Sequence, residues 1–161
     1  PNAGKSSLLS VLTKARPKVA SYPFTTIDPN LGVSYYDGKE VTLADIPGLI
    51  EGAHKGVGLG DKFLRHVERC KILIHLIDFS GEDLYKNYMQ IRNELNKYDD
   101  KLGKKKELII FNKLDLFDKK DIELKLKDFK NKINKKFDLI SVFKKKDIER
   151  TKKNLLKNVN K

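Results

Sequence analysis

The chain begins with half of a phosphate-binding loop, in the sequence Pro1-Asn2-Ala3-Gly4-Lys5-Ser6-Ser7. The complete pattern is G-x-x-x-x-G-K-[ST], and Gly4, Lys5 and Ser6 match its last three positions. Such a loop holds phosphate groups with backbone N–H groups at the start of a helix. The first glycine of the pattern would lie before Pro1. The given chain is therefore expected to lack the start of this loop and the strand that leads into it.

A second segment whose residues could take part in phosphate chemistry follows a predicted strand. Its sequence is Asp45-Ile46-Pro47-Gly48. In P-loop NTPases a carboxylate at this place lies on the magnesium side of the nucleotide, and Asp45 would act through a coordinated water. The backbone N–H of Gly48 would meet the terminal phosphate, where a side chain would hinder close approach. An ordinary turn can have the same residues, so this segment gains its weight from the others.

A third segment, Asn112-Lys113-Leu114-Asp115, follows a short apolar run. The Asp115 carboxylate can accept hydrogen bonds from N1–H and the exocyclic amine of guanine, and adenine has neither donor on that edge. Asn112 would brace the loop, and the stem of Lys113 would cover the base plane. The alternative is a helix cap, which also uses Asn or Asp. The position behind a buried strand, downstream of the two earlier segments, favours the guanine interpretation.

Two weaker signals complete the set. Ser141-Val142-Phe143 follows the last predicted strand, where a backbone N–H can meet guanine O6. Thr25 and Thr26 lie in the segment Tyr22-Pro23-Phe24-Thr25-Thr26-Ile27-Asp28-Pro29-Asn30, within a predicted loop over 16–31 that is rich in proline and threonine. A threonine hydroxyl in such a loop can join Mg²⁺ only while the γ-phosphate is present, which would make the loop a switch. The alternative for this loop is a surface turn.

The elements that must position these segments alternate between helices and short apolar runs, which predicts an α/β layer fold. Helices are predicted over 4–14, 61–69, 82–98, 119–134 and 145–158, and strands over 32–36, 41–44, 71–79, 107–111 and 137–140. Asp37-Gly38, between the first two strands, is typical of a two-residue hairpin turn. His75 lies in the middle of a strand and is expected to pack in the core, since the other histidines lack metal-ligand spacing with it.

Composition limits the remaining possibilities. The net charge of +12 comes from residues 101–161, which carry 21 basic and 9 acidic residues, and 20 of those 21 are lysine. A basic face of this kind could attract RNA phosphates, although lysine without arginine is also typical of a solvated surface. The single cysteine, Cys70, excludes an internal disulfide and is expected to be a small buried residue. No apolar run is long enough to span a membrane.

Taken together, these motifs resemble the G domain of the bacterial Obg GTPases. Besides the phosphate loop, the resemblance rests on Tyr22-Pro23-Phe24-Thr25-Thr26, Pro29-Asn30-Leu31-Gly32-Val33, Asp45-Ile46-Pro47-Gly48-Leu49-Ile50-Glu51-Gly52-Ala53, Gly56-Val57-Gly58-Leu59-Gly60 and Phe63-Leu64-Arg65-His66. It is dense up to about Asp115 and thins afterwards. It implies that residues 1–161 form a Ras-like P-loop NTPase domain, α/β with a mostly parallel sheet flanked by helices. The first strand, the start of the P-loop and the N-terminal Obg domain would be absent from it.

The resemblance also implies a function. The protein is expected to be a cytoplasmic, Mg²⁺-dependent enzyme that hydrolyses GTP to GDP slowly and acts as a switch in assembly of the large ribosomal subunit. GTP, GDP, ribosomal RNA and the subunit are the expected partners, with no DNA and no membrane span, and a monomer is expected. Two alternatives stay open. One is a nucleotide-gated module that binds ribosomal RNA with little hydrolysis, and the other is a DRG-like relative within the wider superfamily.

Roles for individual residues follow from the same resemblance. Catalysis is assigned to Lys5, Thr26 and Gly48, and metal binding to Ser6, Thr26 and Asp45. The phosphates and the two switch segments are assigned to Asn2, Ala3, Gly4, Lys5, Ser6, Ser7, Phe24, Thr25, Thr26, Ile27, Asp28, Asp45, Ile46, Pro47 and Gly48. The base is assigned to Asn112, Lys113, Leu114, Asp115, Ser141, Val142 and Phe143.

Two departures from related patterns bear on mechanism. Leu49 stands where Ras-like enzymes place a glutamine that orients the attacking water, and leucine cannot hydrogen-bond a nucleophile. Turnover should therefore be slow unless a partner, or a K⁺ ion held partly by Asn2, orients the water. After Ser141 the family usually has a small residue and a glycine-containing turn, whereas this chain has Val142-Phe143 followed by three lysines.

Overall fold

The computed structural model describes residues 3–13, 18–19, 30–45, 68–98 and 100–159. The helices are α1 (Lys5–Leu12), α2 (Leu84–Tyr98), α3 (Asp100–Gly103), α4 (Lys119–Lys132) and α5 (Lys145–Val159), with a 3-10 helix over Leu114–Leu116. The strands are β1 (Lys18–Val19), β2 (Asn30–Tyr36), β3 (Lys39–Asp45), β4 (Leu73–Asp78), β5 (Glu107–Asn112) and β6 (Phe137–Leu139). The helix predicted over 61–69 lies mostly outside the described residues, and its last two residues are helical.

The strands form two sheets, an antiparallel one in the order β1-β2-β3 and a parallel one in the order β4-β5-β6. The predicted hairpin is confirmed, since Asp37 and Gly38 have φ of 51° and 71° and connect the paired residues Tyr36 and Lys39. Positive φ at both central residues is the type I′ geometry that matches the twist of the flanking strands. The short strand β1 was not predicted, because two residues carry no periodicity.

The parallel sheet is covered on both faces, which confirms the predicted α/β class. Phe111 on one face of β5 packs with Phe79 and Phe129, in the cluster that includes residues of α2 and α4. Its neighbour Ile110 points to the opposite face and packs with residues of α1 and α5, among them Leu12. Because both faces of β5 are buried, its sequence is a continuous apolar run rather than an alternating one. Every other predicted element agrees with the structure to within two residues at either end.

The strands β3 and β4 belong to different sheets, so the single sheet predicted from the sequence is divided in the described part of the chain. A cavity of about 920 Å³ is lined by both strands. Its walls are largely apolar, with Val41 and Leu43 from β3, Ile74 and Leu76 from β4, and residues of α1, α2 and α5 on the flanks. The gap between β3 and β4 could therefore hold one further strand, with helices covering it on both sides.

The edge of the parallel sheet where its strands begin holds a buried ionic cluster around Glu107, whose side chain is 4% exposed. His75 Nδ1 lies 2.9 Å from Glu107 Oε1, and the Tyr88 hydroxyl and Lys135 Nζ donate to Oε2 at 3.1 and 3.2 Å. Arg92 is 3.7 Å from the same carboxylate. His75 is 8% exposed and stacks on Tyr88, as expected of a core histidine.

Burial alone would raise the pKa of Glu107. The hydrogen bond and charge of His75, the charge of Arg92 and the hydrogen bond from Lys135 outweigh burial, and lower the pKa from the usual 4.5 to about 2. A carboxyl group whose pKa is depressed on folding stabilises the folded state above its unfolded pKa. That contribution is lost as the pH falls from about 4.5 towards 2.

We expect Glu107→Gln to lower the free energy of unfolding by about 2 kcal/mol at pH 7, because it removes the counter-charge of Arg92 and Lys135 and weakens the hydrogen bonds that a charged acceptor receives in this cluster. Urea unfolding at several pH values measures this effect. The difference from the parent should shrink as the pH falls from about 4.5 towards 2, because the carboxyl group of the unfolded parent takes up a proton in this range while that of the folded parent keeps its charge. Glu123→Gln, on the exposed surface of α4, is the matched control. A constant difference across this pH range would contradict the assignment.

Candidate nucleotide site

The phosphate end of the site is the first turn of α1. Gly4 precedes this helix with φ +91°, a left-handed conformation that glycine adopts without strain, and a Cβ atom there would lie 2.7 Å from Asn112 Nδ2. The first backbone N–H groups of a helix have no partners within it, and α1 has no acidic residue in its first turn. Since Lys5, Ser6 and Ser7 are exposed, this helix end can accept an anion.

Lys5 and Asp45 lie together at this end. Lys5 Nζ is 3.4 Å from Asp45 Oδ1, and the Ser6 hydroxyl donates to Asp45 Oδ2 at 3.4 Å. The Asp45 side chain is 9% exposed whereas that of Lys5 is 49% exposed, so the cation can reach outward while the carboxylate stays at the end of β3. The structure thus brings together two residues that are 40 positions apart in the sequence and that were predicted to share a phosphate site.

The same residues fit a magnesium ion. Asp45 Oδ1 is buried and forms no hydrogen bond with any described residue. A carboxylate and the hydroxyl of Ser6 are oxygen ligands of the kind that Mg²⁺ prefers, and Mg²⁺ usually completes its shell with water and phosphate. Within the described ranges no cluster of three or more His, Cys, Asp or Glu residues could hold a metal alone.

Asn112 connects the two ends of the site. Its side chain is 1% exposed, and its Nδ2 donates to the carbonyl of Ala3 at 3.0 Å. Its Oδ1 accepts from the backbone N–H of Val142 at 3.2 Å. One buried amide therefore sets the spacing between the phosphate loop and the two loops at the carboxyl ends of β5 and β6.

Lys113 has an unusual backbone conformation and forms an ion pair that the sequence did not predict. Its φ is +73°, and its Nζ lies 2.5 Å from Asp78 Oδ2 at the carboxyl end of β4. Burial would raise the pKa of Asp78, but hydrogen bonds from Lys113 and Ser80 outweigh it and keep the pKa below its usual value. A non-glycine residue at positive φ is strained, and such strain is common at functional sites. The only sequence signal for Asp78 was its place at the end of a buried strand.

Asp115 lies in the 3-10 helix over Leu114–Leu116, and its side chain is exposed. Its neighbour Leu114 is buried and anchors this short helix to the core. The Asp115 carboxylate forms no hydrogen bond or ion pair with any residue in the described ranges, so its oxygens can accept from a ligand. The helix-cap alternative is wrong, because Asp118 caps α4 by accepting from the N–H of Asp121 at 2.8 Å. The carboxylate of Asp115 is therefore not required by local structure.

The turn after β6 differs from the sequence-based expectation of a backbone N–H available to guanine O6. The N–H of Ser141 donates to Asp147 Oδ2 at 2.9 Å, and that of Val142 donates to Asn112. The N–H of Phe143 donates to Ser141 Oγ at 3.3 Å, and that of Lys144 to the Ser141 carbonyl at 3.0 Å. All four donors already have partners within the chain, and the Phe143 ring projects into solvent, with 85% of its surface exposed.

The remaining predicted site residues lie outside the described residues. These are Asn2 of the phosphate loop, the first-switch residues Phe24, Thr25, Thr26, Ile27 and Asp28, and the second-switch residues Ile46, Pro47 and Gly48.

The fold itself is that of a known class of protein, the GTPase G domain. The G domain of the FeoB iron transporter of T. maritima superposes with a TM-score of 0.69 at 19% identity, over 98% of this chain and 92% of that one. A putative nucleolar GTP-binding protein 1 from Plasmodium falciparum superposes with a TM-score of 0.61 at 18% identity, over 99% and 82%. At these identities the likeness concerns the fold alone.

The sequence comparisons are more specific. The family model described as "50S ribosome-binding GTPase" matches residues 1–113, and the chain belongs to this family. It is 61% identical over 133 residues to the GTPase Obg of Pelagibacter ubique, which is 82% of this chain and 41% of that protein. It is 55% identical over 141 residues to the GTPase Obg of Rickettsia felis, which is 88% of this chain and 43% of that protein.

The resemblance to the Obg GTPases is therefore confirmed, and the chain spans about two fifths of the length of these relatives. Among the described helices, none combines the length and apolar character needed to cross a membrane.

Proposed function

We propose that this chain is the nucleotide-binding and catalytic part of a Mg²⁺-dependent GTPase. The observation that carries the proposal is the buried Asn112 amide, which joins the phosphate loop at Ala3 to the turn at Val142. On the phosphate side of this amide lies the pair of Lys5 and Asp45. Three residues after Asn112 lies the carboxylate of Asp115, which can accept hydrogen bonds and has no partner among the described residues. A phosphate group and a guanine edge fit these two ends.

At the phosphate end, the first turn of α1 and Lys5 would bind the β- and γ-phosphates. Lys5 is half exposed and would exchange its contact with Asp45 for phosphate oxygens. Ser6 and Asp45 would hold Mg²⁺, which when bound neutralises negative charge on the phosphates. Fixed cationic and N–H groups of this kind lower the barrier because they stabilise charge where it develops. Thr26 and Gly48 would sense the γ-phosphate in the two switch segments.

We expect Lys5→Ala to lower single-turnover GTP hydrolysis by about 10²-fold or more, since it removes a cation from the transferring phosphoryl group. The measurement uses the full-length protein with saturating GTP, with and without Mg²⁺. Lys86→Ala, an exposed lysine on α2, is the matched control and should hydrolyse GTP like the parent. Equal rates for the two variants, or turnover that persists after Mg²⁺ is chelated, would contradict the proposed chemistry.

Water orientation is the step for which the sequence supplies no glutamine, because Leu49 occupies that position. We propose that a ribosomal partner or a K⁺ ion near Asn2 supplies this function. The same turnover assay in KCl and in NaCl at equal ionic strength separates the two. Faster hydrolysis in KCl supports the ion, and identical rates exclude it and leave the partner.

The partner that we propose is the large ribosomal subunit during its assembly in the cytoplasm. The exposed lysines at the start of α5 and in the turn before it, Lys144, Lys145 and Lys146, give this end of the domain a basic surface for RNA phosphates. The salt dependence of subunit binding, measured with GTP and with GDP, tests this. A triple lysine-to-glutamine variant with the parent salt slope would exclude this surface, and binding with no dependence on nucleotide would exclude the switch.

We also propose that a further strand, supplied from outside the described residues, fills the gap between β3 and β4. The cavity is lined by apolar side chains of both strands, and Ala3 and Lys5 border it, so such a strand could lead into the phosphate loop. Unpaired strand edges exchange their amide hydrogens readily. The amides of β3 and β4 should exchange more slowly in the full-length protein than in residues 1–161 alone, and equal exchange would exclude a strand supplied from outside residues 1–161.

A further inference from the structure

Asp78 is a charged residue that the sequence did not assign to the nucleotide site. It is the last residue of β4 and pairs in register with Asn112, the last residue of β5. The two strands are parallel, so their carboxyl ends lie at the same edge of the sheet. Lys113 follows Asn112 directly and reaches Asp78 across that edge.

The two carboxylate oxygens of Asp78 have separate partners. Oδ1 accepts from the Ser80 N–H at 2.8 Å and from the Ser80 hydroxyl at 2.6 Å. Oδ2 accepts from Lys113 Nζ at 2.5 Å. Hydrogen bonds between charged groups are stronger than those between neutral ones. One oxygen therefore fixes the carboxylate within its own turn, and the other holds the lysine.

The turn that Asp78 begins is also held from α4. Lys125 Nζ donates to the carbonyls of Phe79 and Gly81 at 2.9 and 2.8 Å. The Phe79 side chain is buried, and the Phe79 N–H donates to the Asn112 carbonyl at 3.0 Å. The backbone of this turn is thus tied to α4 on one side and to β5 on the other, so the Asp78 carboxylate is a fixed anchor.

The side chain of Lys113 needs such an anchor if it is to be ordered. It is 32% exposed, and a partly exposed lysine stem has many rotamers open to it. Ordering a side chain of this kind when a ligand binds lowers the affinity for the ligand. A lysine whose Nζ is already held has less freedom to lose.

We propose that Asp78 is a positioning residue for nucleotide binding, which holds Lys113 by its Nζ so that the lysine stem is already ordered when the base arrives. This inference rests on the proposed function, since it assumes a purine nucleotide in the site. Asp78 itself makes no contact with the nucleotide in this arrangement. Because an ordered stem covers the face of a base and not its edge, its effect is the same for different purines.

The test is binding of GDP and of inosine diphosphate to the full-length protein. Asp78→Asn keeps an oxygen for Ser80 but turns an amide NH₂ towards Lys113, so it removes the ion pair with little change in shape. It should weaken both nucleotides by the same factor, about 2- to 10-fold, through faster dissociation. Asp128→Asn removes the exposed pair with Lys132 on α4 and is the matched control, which should bind both nucleotides like the parent.

A double-mutant cycle shows whether Asp78 acts through Lys113. Lys113→Met keeps an apolar stem of similar length but has no Nζ for Asp78 to hold. We expect it to weaken GDP binding at least as much as Asp78→Asn does. Adding Asp78→Asn to Lys113→Met should then change the affinity by less than about twofold. A merely structural role of Asp78 would give the same loss in both backgrounds.

Lys125→Met supplies a second, independent variant. It leaves the Asp78 carboxylate in place and frees the turn that carries it from α4. It should weaken GDP binding in the parent but not in the Lys113→Met background. Thermal unfolding of every variant reports its effect on stability separately from its effect on affinity.

Three results would overturn the positioning role of Asp78. They are parent-like GDP binding by Asp78→Asn, an equal loss of affinity from this substitution with and without Lys113→Met, and a changed ratio of GDP to inosine diphosphate. Failure of the proposed function is distinguishable from each of these, because the parent protein itself would then bind neither nucleotide.

Discussion

Replacing Asn112 by alanine should weaken GDP binding by about 10²-fold or more and lower the free energy of unfolding by about 2–4 kcal/mol. The substitution removes both hydrogen bonds that join the phosphate loop to the turn after β6. It also leaves the Val142 N–H without its partner in a buried position, which costs more than the lost bond itself. Calorimetric titration with GDP and urea unfolding measure the two effects.

Asn154→Ala is the control for this substitution. Asn154 is half-buried on α5, and its Nδ2 donates to Asp138 Oδ2 at 2.8 Å, so the variant loses a comparable hydrogen bond away from the site. It should lose stability but bind GDP like the parent. If Asn112→Ala bound GDP within a factor of about three of the parent, the amide would not be setting the geometry of the site.

The second large effect is expected at Asp115. In Asp115→Asn one carboxylate oxygen becomes an amide nitrogen, which donates and cannot accept. It then faces the exocyclic amine of guanine, another donor, whereas xanthine has an accepting oxygen at that position. We expect GDP affinity to fall by about 10²-fold or more and xanthosine diphosphate to become the preferred ligand. Competition between the two nucleotides on the full-length protein measures the preference.

Asp118→Asn is a closely matched control, because it makes the same substitution three residues away. Asp118 caps α4, and asparagine caps helices as well as aspartate does. This variant should keep the parent preference for GDP. An Asp115→Asn variant that still preferred GDP over xanthosine diphosphate would show that the carboxylate does not read the base.

Much of the fold could be predicted from local patterns. The turn at Asp37-Gly38 was predictable because few residues accept positive φ at two successive positions. The strand β5 was predictable because burial on both faces requires a continuous apolar run. The cap at Asp118 was within reach of the sequence as well, since an aspartate directly precedes the helical pattern that starts at Lys119.

The contacts that the sequence did not predict join residues far apart in the chain. Lys113 and Asp78 form an ion pair across 35 positions, and His75 and Glu107 meet across 32. Neither pair follows a helical or strand period. The occupied N–H groups after β6 are similar, because the partner of Val142 is supplied by Asn112, 30 positions earlier. Such partners follow from sheet register and helix packing, which a single sequence does not specify.

One guanine nucleotide is expected to bind with its phosphates at Lys5 and its base at Asp115. The most direct measurement is equilibrium competition between GTP and ATP on the full-length protein in the presence of Mg²⁺. A site built to hydrogen-bond the guanine edge should prefer GTP by about 10³-fold or more. A preference of about tenfold or less would contradict the assignment of Asp115, and with it the account of this site as specific for guanine.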